Sequence, residues 1–133
     1  MPAGYSGKSI AEKLGYKPGW RVLVIGRPKD VTVDLAGPGV KLLSKVDGRI
    51  DAVHAFVSER ARLAAELPRL MKTIPPDGMI WVSWPKKASK LPTDITEDVV
   101  REVALPLGLV DVKVCAVDEV WSGLKLVVRK DRR

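Results

Sequence analysis

The sequence predicts a single three-layer α/β domain over residues 1–133, with a mostly parallel sheet that ends in an antiparallel hairpin. Three observations predict it. Short apolar runs alternate with stretches of helical periodicity, the order expected of strand–helix–strand units. The runs Trp20 to Ile25 and Met79 to Trp84 are nearly unbroken, as strands covered on both faces are. The last two runs, Val110 to Val117 and Leu124 to Val128, are joined only by Asp118 to Gly123. That link is too short for a parallel crossover, so the final pair is antiparallel.

The elements follow in order. Ser9-Ile10-Ala11-Glu12 has capping-box spacing, so a short helix runs to Leu14 and stops at Gly15. A turn at Lys17-Pro18-Gly19 leads into the first strand. Val31, Val33 and Leu35 alternate like a strand, yet Asp30 can cap a helix there. A short helix is the expectation, because Val40 to Ser44 reads as the next parallel strand and needs a crossover before it. Asp51 to Val57 is a third strand. Ser58 then caps a helix that buries Leu63, Leu67, Leu70, Met71 and Ile74, with Pro68 expected to kink or split it. Pro75-Pro76-Asp77-Gly78 turns the chain into the strand Met79 to Trp84. A last helix starts near Thr93-Asp94, with Asp94 and Glu97 at cap and N3 spacing, and stops at Pro106.

Composition bounds the function classes. Hydrophobic residues at 46% and charged residues at 29% describe a folded, water-exposed chain. No apolar run approaches bilayer length, and the N-terminal residues carry no signal-like apolar core, so the expected location is the cytoplasm, without a membrane partner. The single cysteine, Cys115, permits no internal disulfide and gives no metal-ligand spacing. A net charge of +7 creates a field that attracts nucleic acid, anionic metabolites or acidic proteins. The basic run Arg129-Lys130-Asp131-Arg132-Arg133 reads as a frayed tail.

This order of elements resembles the class I methyltransferase fold, in a truncated form. Leu67-Pro68-Arg69-Leu70 through Pro76-Asp77-Gly78-Met79-Ile80-Trp81-Val82 looks like that family's helix, proline–glycine turn and strand. Pro18-Gly19 before Arg21-Val22-Leu23-Val24-Ile25-Gly26 looks like its first strand. A second resemblance is to a small uncharacterised bacterial family of methyltransferase-like proteins. It rests on Ala3-Gly4-Tyr5-Ser6-Gly7, Trp84-Pro85-Lys86-Lys87, Thr93-Asp94-Ile95-Thr96-Glu97 and the run Lys113 to Lys125. The resemblance implies the fold and carries no activity with it.

Working methyltransferases follow the first strand with a glycine-rich loop that lets the backbone approach S-adenosylmethionine (SAM). Here Gly26 is kept but Arg27 and Pro28 follow it, one bulky and one without an amide donor. Those families also end the second strand on an acid for the ribose. This chain offers only Asp47, displaced, and Asp34, too early. SAM is therefore not expected to bind, and no other cofactor or metal is indicated.

Gly7-Lys8-Ser9 imitates the end of a phosphate-binding loop but lacks its other glycine and the preceding strand. His54 and Cys115 lie inside apolar strands and read as packed residues. No nucleophile elbow or catalytic acid pair is present. Geometry supplies the candidate site, because ligands of open α/β sheets bind beyond the carboxyl ends of the strands. Those loops gather Trp84, Lys86, Lys87, Ser89, Asp118, Glu119, Trp121 and Ser122. Two tryptophans beside two lysines would stack a planar ring and hold a phosphate. Asp118 or Glu119 would pair with a lysine or accept from a ligand hydroxyl. The leading expectation is a non-catalytic module that binds a nucleotide or nucleic acid. The alternatives are a SAM-dependent methyltransferase with an atypical loop and an interaction subunit for an acidic protein.

Overall fold

A computed structural model describes residues 9–133. The opening Ala3–Gly7 run and most of the Gly7-Lys8-Ser9 imitation lie outside that range. Within it, one six-stranded sheet organises a single α/β domain, with strands in the order β2-β1-β3-β4-β6-β5. These are β1 (Arg21–Ile25), β2 (Lys41–Leu43), β3 (Ala52–Phe56), β4 (Met79–Pro85), β5 (Leu109–Ala116) and β6 (Trp121–Val128). The first four are parallel. β6 then inserts antiparallel between β4 and β5, with Trp84 opposite Ser122 and Cys115 opposite Gly123. β5 therefore points the same way as β4, and its hairpin turn reaches the carboxyl edge of the sheet.

β3 and β4 are buried along their whole length, which their continuous apolar sequences require. One face of the sheet carries Val53, Ile80, Val82, Trp84 and Leu124. It is covered by α2 (Arg60–Met71), through Leu63, Leu67 and Leu70, and by α3 (Glu97–Ala104), through Val100 and Ala104. The other face carries Val22, Ala52, Phe56, Trp81 and Trp121. The short α1 (Ile10–Leu14) covers it from one side, anchored where the Trp81 indole donates to the Leu14 carbonyl at 2.9 Å.

Several elements differ from the sequence expectation, each for a local reason. Residues 31–35 form neither helix nor strand. The Arg27 guanidinium donates to the carbonyls of Val31 (3.0 Å) and Val33 (2.9 Å), and the Asp34 carboxylate accepts from the amides of Ala36 and Gly37. These bonds satisfy an irregular crossover in place of a helical ladder, while Val31 and Leu35 still bury their side chains.

Pro68 does not break α2, which runs unbroken through it. The missing donor would have served Ala64, an exposed position where water can take its place. Ser58 does not cap α2 either. Its carbonyl instead accepts from Thr93 Oγ1 and the Asp94 amide, and Asp94 Oδ1 accepts from the Arg60 amide at 2.7 Å. Asp94 thus caps α2 across the fold, and Thr96 caps α3. The basic C-terminus is not a loose tail: it forms a single turn, with the Arg129 amide bonded to Gly108 and Arg133 bonded to the Val128 carbonyl.

Candidate functional site

The loop after β4 and the β5–β6 turn meet at the carboxyl edge. The Lys86 amide donates to the Val120 carbonyl at 2.7 Å, and Lys86 Nζ donates to the Asp118 carbonyl at 2.8 Å. The Asp118 carboxylate turns inward and accepts from the amides of Val120 (2.8 Å) and Trp121 (2.7 Å), which fixes the tight turn. It is therefore not the ion-pair partner of Lys86 that the sequence suggested. Glu119 is exposed at the tip.

Beyond Lys86 the chain makes a short 3₁₀ turn, Lys87–Ser89. Ser89 Oγ donates to the Lys86 carbonyl at 2.7 Å, and Lys90 takes a left-handed conformation with φ 61°. That reversal sends the chain back towards α3. Together these segments enclose a groove of about 570 Å³. Trp84, Lys86, Lys87 and Ser122 line it, joined by Lys90 and Thr96. Ser89 and Asp118 support the walls through their bonds to backbone.

Trp121 is not part of this groove. In the antiparallel register Trp84 lies opposite Ser122 while Trp121 lies opposite Pro85, so the two indoles emerge on opposite faces of the sheet. Each is only 6% exposed. Trp121 packs edge-on against Phe56 with ring centroids 5.4 Å apart, and its Nε1 has no partner among the described residues. The expected stacking pair therefore reduces to one indole. Lys90 and Thr96 were missed because their contribution depends on the left-handed turn at Lys90. A lysine at positive φ leaves no trace in the sequence, unlike a glycine.

The groove's charge is lopsided. Lys86, Lys87 and Lys90 face a single acid, Glu97, and that carboxylate is bonded to Arg101. Arg101 also bonds Asp98 (3.0 Å) and Asp111 (2.9 Å), and Asp111 and Glu97 raise its pKa further above the ordinary value. No group of three or more His, Cys, Asp or Glu side chains among the described residues is arranged to hold a metal. No helix among them is long and apolar enough to cross a membrane.

The loop after β1 is built differently. Gly26 has φ 70°, and a Cβ there would lie 2.7 Å from the Phe56 carbonyl oxygen, so glycine is required by β3 itself. The Arg27 side chain folds back over the crossover as described. Beneath it lies His54, fully buried, with Nε2 2.7 Å from Ser83 Oγ and its ring stacked on Phe56 at 4.4 Å. Burial lowers the His54 pKa to about 3, with the nearby Arg27 charge adding to the effect. At the end of β2, Ser44, Lys45, Val46 and Asp47 are all exposed. The Asp47 carbonyl is bonded to the Arg21 guanidinium. Cys115 is buried, which raises its thiol pKa.

The fold is a class I methyltransferase-like fold, and solved structures agree. A SAM-dependent methyltransferase from Aquifex aeolicus matches 88% of this chain and 87% of its own at 15% identity, with a TM-score of 0.56. A possible exported protein from Bordetella parapertussis matches 90% of this chain and 66% of its own at 13% identity, with a TM-score of 0.61. The magnesium protoporphyrin IX methyltransferase of Synechocystis PCC 6803 matches 68% of this chain at 12% identity, with a TM-score of 0.50. The present chain spans about half the length of that enzyme, 51%. No protein-family model matches the chain. No curated protein sequence matches it.

Proposed function

We propose that the protein is a non-catalytic binding module on a methyltransferase-like scaffold, and that its groove holds an anionic ligand of nucleotide size. The observation that carries this reading is the groove itself, where three lysines surround the buried Trp84 and the one acid is bound elsewhere. Its volume of about 570 Å³ suits a small-molecule site. The positions of the histidine and of one groove hydroxyl support the non-catalytic part. His54, the chain's single histidine, is sealed on the other face of the sheet, and the Thr93 hydroxyl is bonded to a backbone carbonyl.

The residues at the ends of β1 and β2 fit SAM poorly. Arg27 and Pro28 occupy the loop that would approach it, and no acid side chain closes β2 for the ribose.

The test is binding of ATP, ADP and pyrophosphate followed by calorimetry at low salt. The exposed pair Lys87→Ala/Lys90→Ala should weaken binding at least tenfold, while the fold is retained. Equal binding by this variant, or no binding by the parent protein, defeats the reading. One observation favours a second reading: the Aquifex neighbour is described as SAM-dependent, and the Synechocystis structure contains bound S-adenosylhomocysteine. A methyltransferase should then be stabilised by SAM by about 2.7 kcal/mol at a hundred times the dissociation constant. An unchanged melting temperature in millimolar SAM removes that reading. Binding of an acidic protein is the remaining alternative, and its sign would be a partner that charge reversal at Lys87 and Lys90 releases.

A further inference from the structure

The opposite face of the sheet carries a second concentration of positive charge. Lys113 on β5 and Lys125 on β6 are direct cross-strand partners, and Trp81 lies opposite Lys125 on the next strand. Lys113 Nζ donates to the Lys13 carbonyl at 3.0 Å, which brings the end of α1 to the pair, and the Lys13 and Lys113 charges both act on Cys115. Lys17 follows on the next turn, its ammonium 5.9 Å from the centre of the Trp20 ring. Burial lowers the pKa of Lys125, and Lys113 and Lys17 lower it further.

Like charges placed directly opposite on neighbouring strands destabilise a sheet. Among the described residues no ion pair joins a carboxylate to any of these four lysines. Lys113 satisfies its ammonium on a carbonyl, which accepts the hydrogen bond and leaves the charge uncompensated. The arrangement is costly alone and favourable once an anion lies across it. The four lysines are spread over the end of α1, the turn after it, β5 and β6, so the surface suits a chain of regularly spaced charges better than a compact metabolite.

We propose that Lys13, Lys17, Lys113 and Lys125 form a second anion-binding surface, which takes the phosphate backbone of a nucleic acid strand. It lies on the face away from the Lys86–Lys90 groove and does not depend on it.

The test is fluorescence anisotropy of a labelled mixed-sequence 20-nucleotide single strand, RNA and DNA, titrated from low to moderate NaCl. Each phosphate neutralised contributes about 0.7 to the slope of log affinity against log salt on a single strand. Lys17→Ala/Lys125→Ala should therefore lower the slope by about 1.4 and weaken low-salt binding at least fivefold. Lys17→Ala alone, at an exposed site, should lower it by about 0.7 and serves if the double variant fails to fold. Lys87→Ala/Lys90→Ala should leave the slope within about 0.3 of the parent value. An unchanged slope in the Lys17 variants, or no binding by the parent at low salt, overturns the proposal without touching the nucleotide reading. Tighter binding of poly-aspartate than of either nucleic acid also overturns it, in favour of an acidic protein.

Discussion

His54 offers a clean test of how the buried sheet face responds to acid. Its folded pKa is about 3, against about 6.5 for a free imidazole. Because the folded value is the lower one, the unfolded chain takes up the proton first as pH falls. Stability from this group is complete above pH 6.5 and is lost progressively as pH falls towards 3. At roughly 1.4 kcal/mol per unit, the loss should reach about 2 kcal/mol by pH 5. The chain has one histidine, and carboxylates protonate mainly below this window. The slope between pH 6.5 and 5 therefore belongs to His54.

The measurement is urea unfolding at pH 7.5, 6.0 and 5.0, on the parent and on His54→Phe/Ser83→Ala. Replacing both members of the 2.7 Å pair avoids stranding the Ser83 hydroxyl, and Phe keeps the stack on Phe56. The double variant will carry a constant offset from repacking, but its stability should be flat over this range. A parent with no loss by pH 5, or a variant with the parent's slope, refutes the argument that His54 is held neutral by burial.

Three further outcomes are expected. Gly26→Ala should cost roughly 1–3 kcal/mol in chemical denaturation, because φ is 70° and the new Cβ meets the Phe56 carbonyl at 2.7 Å. Asp94→Ala should cost about 1 kcal/mol by losing the Arg60 cap, and hydrogen exchange should rise at the start of α2 rather than at α3. Trp81→Phe should cost about 1–3 kcal/mol, because it leaves the buried Leu14 carbonyl without its donor. Amide exchange at α1 should rise with it, and unchanged exchange there would show that α1 is held by something else.

The strands, their directions and the long helix were legible because hydrophobic period and link length report on them directly. The Asp118 to Gly123 link, for instance, is compatible with one pairing only. What was illegible depends on side chains that reach across the sequence. Asp94 stands three residues before Glu97, the spacing of a local cap, yet its carboxylate serves an amide on α2. The crossover at 31–35 has the alternation of a strand and the start signal of a helix, and Arg27 decides for neither by holding two of its carbonyls. At the candidate site, topology brings Trp84, Lys86, Lys87 and Ser122 to one edge, where they line the groove. Trp121 was assigned to the same edge, but the pleat sends successive residues to opposite faces, and its register against Pro85 puts it behind the sheet.

The net charge of +7 was visible from the start and uninformative until its two carriers were separated. Among the described residues the ion pairs are made by Arg49, Arg60, Arg101 and Arg129. Arg21 and Arg27 hold backbone carbonyls. Arginine thus serves the fold here, which suits a planar fork that can satisfy several acceptors together. Among the described residues, Lys86 and Lys113 bond carbonyls, which leave their charge uncompensated. Two groups of these lysines gather their charge locally, one at the groove and one on the β5–β6 face. Lysine-to-arginine substitutions at Lys87 and Lys17 should preserve anion binding, because phosphate attraction at these exposed sites depends mainly on charge. Glutamine should abolish the salt dependence each contributes, in nucleotide binding for Lys87 and in single-strand binding for Lys17. If glutamine and arginine behave alike in the salt titration, charge is not what these surfaces offer a ligand.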